Sequence, residues 1–397
     1  MNVDTALAAA YSIEPIHERM LQLALLGDGS AEKRWSELRE EIDLDTFWDG
    51  RALNFLPLVY RALVDEGSDH RDLPRLRGVH RKTWYDNQLR FRSIAPALHA
   101  LSAAEVDALV LKGTAFALAF YPDMGLRPML DCDLLVRPGQ VGRALEVLEP
   151  SGWSARESLP QNYASHAQEL DVWSTEGAVI DLHWHIAQWL VPPDDPWNAD
   201  DQYWSRSVAI DVSGAPARAL DPTDAVLHSI VHGSRHGWRD APQWIADTVV
   251  ITRAKPVDWD RLVDIALARG IALPVGYALR YLADTFAVAV PEAARQRLDV
   301  PTRSRSRRMF ALTGRGHDAT RAEHRVLGTG AATYRFWVTE SAPYDRRLAA
   351  ATFPGWLADH WGVPKASQLP VAALKRVARR VGGTGDSADD VSTRRAP

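Results

Sequence analysis

The chain has 397 residues with 46 Lys and Arg against 51 Asp and Glu, a net charge of −5, and a single cysteine. That length is enough for two or three domains; the mild acidity gives no overall attraction to nucleic acid, and one cysteine excludes an internal disulfide and a multi-cysteine zinc site. The balance of 46% hydrophobic to 24% charged residues is that of a globular chain, and no apolar run reaches membrane-spanning length. Acidic and polar residues near the start stand where a secretory leader needs a basic start and an apolar stretch, so a cytoplasmic location without membrane contact is expected.

Residues 1–104 read as a helical region. Ile16, Met20, Leu23, Ala24 and Leu26 recur near helical spacing, and after the break at Gly27-Asp28-Gly29-Ser30 so do Leu53, Leu56, Val59, Tyr60 and Leu63. A longer helix is predicted over Leu73 to Leu101, where Arg75, Arg77, Arg81, Lys82, Arg90 and Arg92 beside Trp84 and Tyr85 form a solvated basic face.

A mixed core is predicted over 105–212. Asp107 to Leu111 reads as a short buried strand, Lys112-Gly113-Thr114 as a turn, and Ala115 to Phe120 as the start of a helix. A glycine there lets backbone N–H groups come close to a phosphate, and the helix N-terminus favours negative charge. Lys112 offers a full positive charge, and Arg127, between this helix and the next strand, offers a bidentate fork for phosphate oxygens. The next strand runs Leu130-Asp131-Cys132-Asp133-Leu134-Leu135-Val136. Successive strand residues alternate faces, so Asp131 and Asp133 point one way and Cys132 and Leu134 the other, into the core. Two like charges side by side need a cation, and an oxygen-rich site shared with substrate phosphates suits Mg²⁺. After a helix over Pro138 to Glu149, a hairpin is predicted from Tyr163–Ser174 and Ala178–Ile186 around Thr175-Glu176-Gly177. Its second strand puts Asp181, His183 and His185 on one face, and Asp181 is the natural third carboxylate. The Pro- and Trp-rich stretch between Gln188 and Asp201 reads as an irregular loop near the site.

From Asp221 the pattern is helical again, a C-terminal helical domain over 213–381. Asp221-Pro222-Thr223-Asp224 supplies a capping carboxylate followed by proline. His228, His232 and His236 follow at four-residue spacing and share a stripe, read as a polar helix face lining the nucleotide or acceptor side of the cleft; the alternative is a metal site with Asp247 as an extra ligand, against which stand Gly233 and Gly237 as helix interruptions. A basic cluster at Arg303, Arg305, Arg307 and Arg308 reads as a solvated segment, and 382–397, rich in Gly, Ser, Thr, Asp and Arg, as a disordered tail.

In order, Leu111-Lys112-Gly113, then Arg127 through Arg137 with its Asp-Cys-Asp, then Asp181-Leu182-His183-Trp184 resembles the uncharacterised bacterial nucleotidyltransferase family of the polymerase-β-like superfamily. The turn is Lys-Gly-Thr where the wider superfamily carries Gly-Gly or Gly-Ser. The resemblance spans about residues 90 to 270. It implies an α+β fold, a mixed sheet flanked by helical regions. It also implies that Asp131 and Asp133 hold the metal of a nucleoside triphosphate, ATP being one candidate, while Asp181 helps to hold a second Mg²⁺ and takes the proton of the acceptor.

The expected activity is therefore Mg²⁺-dependent transfer of a nucleoside monophosphate from an NTP to a hydroxyl or phosphate acceptor, releasing pyrophosphate. Asp131, Asp133 and Asp181 are the metal and catalytic residues, and Lys112, Gly113, Thr114 and Arg127 the nucleotide-binding ones. The acceptor is left open among a small molecule, a peptide and a protein. Two other classes are consistent with the residues: a metal-dependent hydrolase built on His183, His185 and the His228, His232, His236 stripe, and a non-catalytic nucleotide- or peptide-binding partner.

Overall fold

The computed structural model describes residues 11–299, with breaks at residue 48, within 157–167, at 192–196 and within 237–240, together with most of 351–374. The basic cluster at 303–308 and the tail at 382–397 lie outside the described residues.

The N-terminal helices form where apolar residues recur at helical spacing. Helix α1 (Pro15–Leu25) buries Met20, Leu21, Leu23 and Leu25, α2 (Ala31–Glu41) buries Trp35 and Leu38, and α3 (Gly50–Leu53) is a single turn capped by Asp49. Helix α4 (Leu56–Asp65) then packs on α5 (Leu73–Ala103), whose 31 residues span about 46 Å. Pro96 sits inside α5 on its exposed side. Ion pairs such as Arg75 to Asp45 and Lys82 to Asp86 confirm the basic side of α5 as a solvated surface.

Seven strands make one mixed sheet in the order β3-β4-β5-β2-β1-β7-β6. They are β1 (Ala108–Val110), β2 (Cys132–Val136), β3 (Trp153–Ala155), β4 (Glu169–Ser174), β5 (Val179–His183), β6 (Val208–Val212) and β7 (Ala215–Ala219). Helix α6 (Lys112–Ala119) follows β1 directly, and α7 (Val141–Leu148) follows β2. β2 is central, antiparallel to β1 and parallel to β5. All five of its residues are buried, which is why its sequence is a nearly unbroken apolar run around one carboxylate. The predicted hairpin exists as β4 and β5, with Gly177 at φ +86° in the turn, although β4 starts at Glu169 and β5 ends at His183.

After the short helix α8 (Asp201–Arg206), the sheet continues past residue 212, where the sequence reading closed the core. β6 and β7 form a tight hairpin through Ser213 and Gly214, both at positive φ (+52° and +88°), the backbone of a two-residue turn that twists with its strands. Pro216 disguises β7 as a loop. It is tolerated because β1 pairs with β7 only at Arg218 and Ala219, so the proline lies beyond the reach of that ladder.

The C-terminal helices are α9 (Pro222–His236), α10 (Gln243–Ala254), α11 (Trp259–Ala268), α12 (Ala272–Phe286) and α13 (Glu292–Arg297). Asp221 caps α9 as expected, its Oδ1 accepting from the N–H groups of Thr223 (2.8 Å) and Asp224 (3.0 Å). Gly233 does not interrupt α9. A Cβ there would lie 2.1 Å from Cδ1 of Trp244, so the glycine lets α10 lay an indole directly on the α9 backbone. The α+β architecture, a mixed sheet flanked by helical regions on either side in sequence, is as expected. Among the described residues no helix is long and apolar enough to cross a membrane.

Candidate active site

The sheet register assembles the site. In the parallel ladder of β2 and β5, Asp133 stands directly opposite Asp181 and Leu135 opposite His183. Neighbouring strands lie about 4.8 Å apart, so side chains paired in this way share one face and each other's field. On the other side of β2, the N–H of Leu111 donates to the carbonyl of Asp133 at 2.9 Å, which places the β1–α6 turn over the same carboxylate. Lys112, first residue of α6, has φ +42°, a left-handed conformation that costs a non-glycine residue energy. The turn brings its ammonium onto Asp133: Nζ donates to Oδ1 at 2.5 Å. Nε2 of His183 lies 3.0 Å from that same oxygen, within hydrogen-bonding distance. Glu169, paired with His183 across β4 and β5, brings Oε2 to 3.4 Å from Nδ1 of His183.

The carboxylates experience different fields. Burial pushes the Asp133 carboxyl upward, but Lys112 and His183 outweigh it and hold the group well below the usual carboxylate range. Asp181 has no such partner, and burial first, then the charges of Asp133 and Asp131, push it up to about 9. Asp131, one residue before β2, is also raised, by burial and then by Asp133, with Lys112 and Arg127 opposing. One firmly ionised carboxylate beside two that resist ionisation is the electrostatic signature of a place short of positive charge. Ligating atoms of Asp133, Asp181 and His183 all lie within 4.8 Å of one another, so this group could hold a metal ion. Since His183 gives its Nε2 to Asp133, the donors left are mainly carboxylate oxygens, the set a hard divalent cation takes.

The remaining sequence-predicted residues are placed as follows. Gly113 packs under the connection to β2, where an added Cβ would lie 3.1 Å from Cβ of Met129 and 3.7 Å from Nη1 of Arg127. Thr114 is buried with its hydroxyl on Sδ of Met129 (3.4 Å), so its side chain serves the core and only its backbone N–H, in the first turn of α6, is left for a ligand. Arg127 approaches the same turn with its fork engaged by Asp247 on α10: Nε to Oδ1 at 2.7 Å and Nη2 to Oδ2 at 2.9 Å. Tyr121 donates to the same Asp247 Oδ1 at 2.8 Å, and Asn87 of α5 donates to the carbonyls of Met124 and Arg127. Asp247 is thus the partner of Arg127 rather than of the histidine stripe.

Among the described residues the other histidines stand outside the acidic group. His185 faces Asp200 at 3.2 Å, and His228 and His232 belong to no metal-ligand group among the described residues. The side chain of His236 lies outside the described residues. The sequence put His183 on the face of Asp181 without giving it a part in the acidic site, although its position two residues after Asp181 was the signal for its place on Asp133. The pairing of Arg127 with Asp247 has no local signal, since 120 residues separate them.

No match is found among curated proteins. Among solved structures, an antigenic nucleotidyltransferase-like protein from Paracoccidioides brasiliensis is similar at 16% identity and a TM-score of 0.33, covering 52% of this chain and 95% of its own. The profile of the family described as "Uncharacterised nucleotidyltransferase" matches residues 42–287, which include all seven strands and the acidic site. With more than half of its length matched, the chain belongs to this uncharacterised nucleotidyltransferase family.

Proposed function

We propose that the protein transfers a nucleoside monophosphate from an NTP to a hydroxyl or phosphate acceptor, with Mg²⁺ as the divalent cation and pyrophosphate as the leaving group. The observation that carries this reading is the direct opposition of Asp133 and Asp181 on adjacent parallel strands, with a lysine and a helix N-terminus over the same carboxylate. Asp133 and Asp181 would hold Mg²⁺, with Asp131 alongside for a second ion, and a cation bound there would neutralise the polyphosphate and lower the pKa of the attacking hydroxyl.

The chain's own groups do the rest. Lys112 balances Asp133 in the absence of nucleotide and, at the start of α6, is placed to turn its ammonium to the phosphates. The first-turn N–H groups at Gly113 and Thr114 cradle a phosphate oxygen. His183 holds the Asp133 carboxylate in orientation. Asp181, directly opposite Asp133 on the neighbouring strand, accepts the proton of the acceptor hydroxyl once the cation has displaced its own. In the transfer the acceptor oxygen forms a bond to the α-phosphorus, the bond from that phosphorus to the bridging oxygen breaks, and the electron pair leaves with pyrophosphate. Asp247 keeps the Arg127 guanidinium beside the Gly113 turn, where its charge adds to the phosphate-binding field.

The test is incubation of the purified protein with each α-³²P-labelled NTP, Mg²⁺ and a panel of hydroxyl-bearing small molecules, peptides and proteins. Label is expected on an acceptor, with Asp131→Asn/Asp133→Asn and Asp181→Asn inactive. Transfer that survives these substitutions would refute the reading.

A further inference from the structure

Helix α9 places one polar side chain in a position that no described residue explains. His228 is 1% exposed, yet among the described residues neither Nδ1 nor Nε2 has a hydrogen-bond partner. Its ring stands edge-on to that of His232, at 6.3 Å between centroids. The charged groups that act on it are Lys112 and Asp133, together with His183, which are the centre of the candidate site. A buried donor and acceptor left without partners lose the hydration they had in the unfolded chain and gain nothing back. Such a group in a native fold is expected where a ligand completes it.

Its neighbours say which ligand. Lys112 begins α6, at the helix N-terminus and Gly113 turn where a phosphate group is best stabilised. Burial, with the adjacent Lys112 charge, pushes the imidazole down to about 3, so at neutral pH the ring is uncharged, with one N–H and one bare nitrogen. A neutral N–H donor can line a phosphate site without adding a second buried cation beside Lys112 when the site is empty. Helix α9 also packs on α10, which carries Asp247 and through it holds Arg127 beside the turn.

We propose that His228 donates its ring N–H to a phosphate oxygen of the nucleotide's polyphosphate tail, making α9 the second wall of the nucleotide site opposite the sheet. This rests on the nucleotidyl-transfer reading above. His228 is here a binding residue outside the acidic group, and its loss should weaken binding without unfolding the protein.

The experiment compares the full-length wild type with His228→Leu and His228→Asn. Thermal unfolding is measured without ligand, and calorimetric titrations use inorganic tripolyphosphate and ATP, each with Mg²⁺. The leucine variant is expected to melt at or above the wild-type temperature, because an unpartnered polar ring is replaced by an apolar group, and to bind both probes about tenfold more weakly. The asparagine variant, which keeps an N–H donor, should recover part of that loss. Unchanged affinities in the leucine variant would overturn the proposal, and a lower melting temperature with unchanged affinities would show a structural imidazole completed by water. Loss confined to ATP would overturn the assignment to the polyphosphate. If the wild type binds neither probe, the transfer reading itself fails and this one falls with it.

Discussion

At the scale of single residues, the decisive interaction is the one between Lys112 and Asp133. Their 2.5 Å contact lies in a place where the side chains are 19% and 5% exposed, so removing the cation leaves a buried carboxylate that only His183 supports. Replacing Lys112 by Met should therefore destabilise the metal-free protein by about 3 kcal/mol, and saturating Mg²⁺ should restore more stability to the variant than to the wild type. Urea unfolding with and without Mg²⁺ measures both; equal stability of the two proteins without metal would show that the pair contributes nothing. Asp181 gives a pH dependence of opposite origin. Its folded pKa of about 9 lies above the ordinary 3.8, so the folded metal-free protein holds this proton more tightly than the unfolded chain. The resulting stability is complete below about pH 4 and is lost as pH rises through 9. A divalent cation must displace that proton, so Mn²⁺ affinity should rise by up to about tenfold per pH unit between pH 6 and 9. Titration in buffers of different ionisation enthalpy should record proton release, and pH-independent affinity without release would contradict the assignment.

Elements are joined to the site by two long-range devices. Arg127, on the connection from α6 to β2, is clamped to Asp247 of α10 by a bidentate ion pair that Tyr121 completes. Asp247→Ala leaves a buried guanidinium unpaired and should cost about 3–5 kcal/mol, whereas Tyr121→Phe should cost about 1 kcal/mol. Denaturant midpoints at constant slope would register both, and similar values for the two variants would mean that the carboxylate is not the keystone. Gly233 is the second device. A methyl group there collides with the Trp244 ring at 2.1 Å, so Gly233→Ala should destabilise by about 2 kcal/mol or more although alanine favours helices. A stabilised Gly233→Ala protein would show that α9 and α10 do not approach so closely.

At the scale of the whole molecule, what could be read from the sequence was what local periodicity encodes. The strand with Asp133, the turn at Lys112-Gly113, the β4–β5 hairpin and the cap at Asp221 are each written in consecutive residues. The alternation of Asp181 and His183 with Leu182 fixed the face those residues share, and the parallel register then set Asp181 against Asp133. The rest depends on distance in the chain. β7 was hidden by Pro216 and is a strand because it pairs with β6 and the end of β1. Arg127 reads as a free phosphate ligand until Asp247, on a helix 120 residues later, is found across its fork. Lys112 likewise reads as a free charge until the fold puts Asp133 beneath it.

The account as a whole depends on one cation shared by two strands. The most direct measurement is a crystal soaked with Mn²⁺ and a non-hydrolysable NTP, with data collected for anomalous scattering. An anomalous peak about 2.1 Å from carboxylate oxygens of both Asp133 and Asp181, with the polyphosphate reaching the Lys112-Gly113 turn, is the predicted result. Nucleotide bound with no metal between those two carboxylates, or metal and nucleotide bound elsewhere, would contradict it.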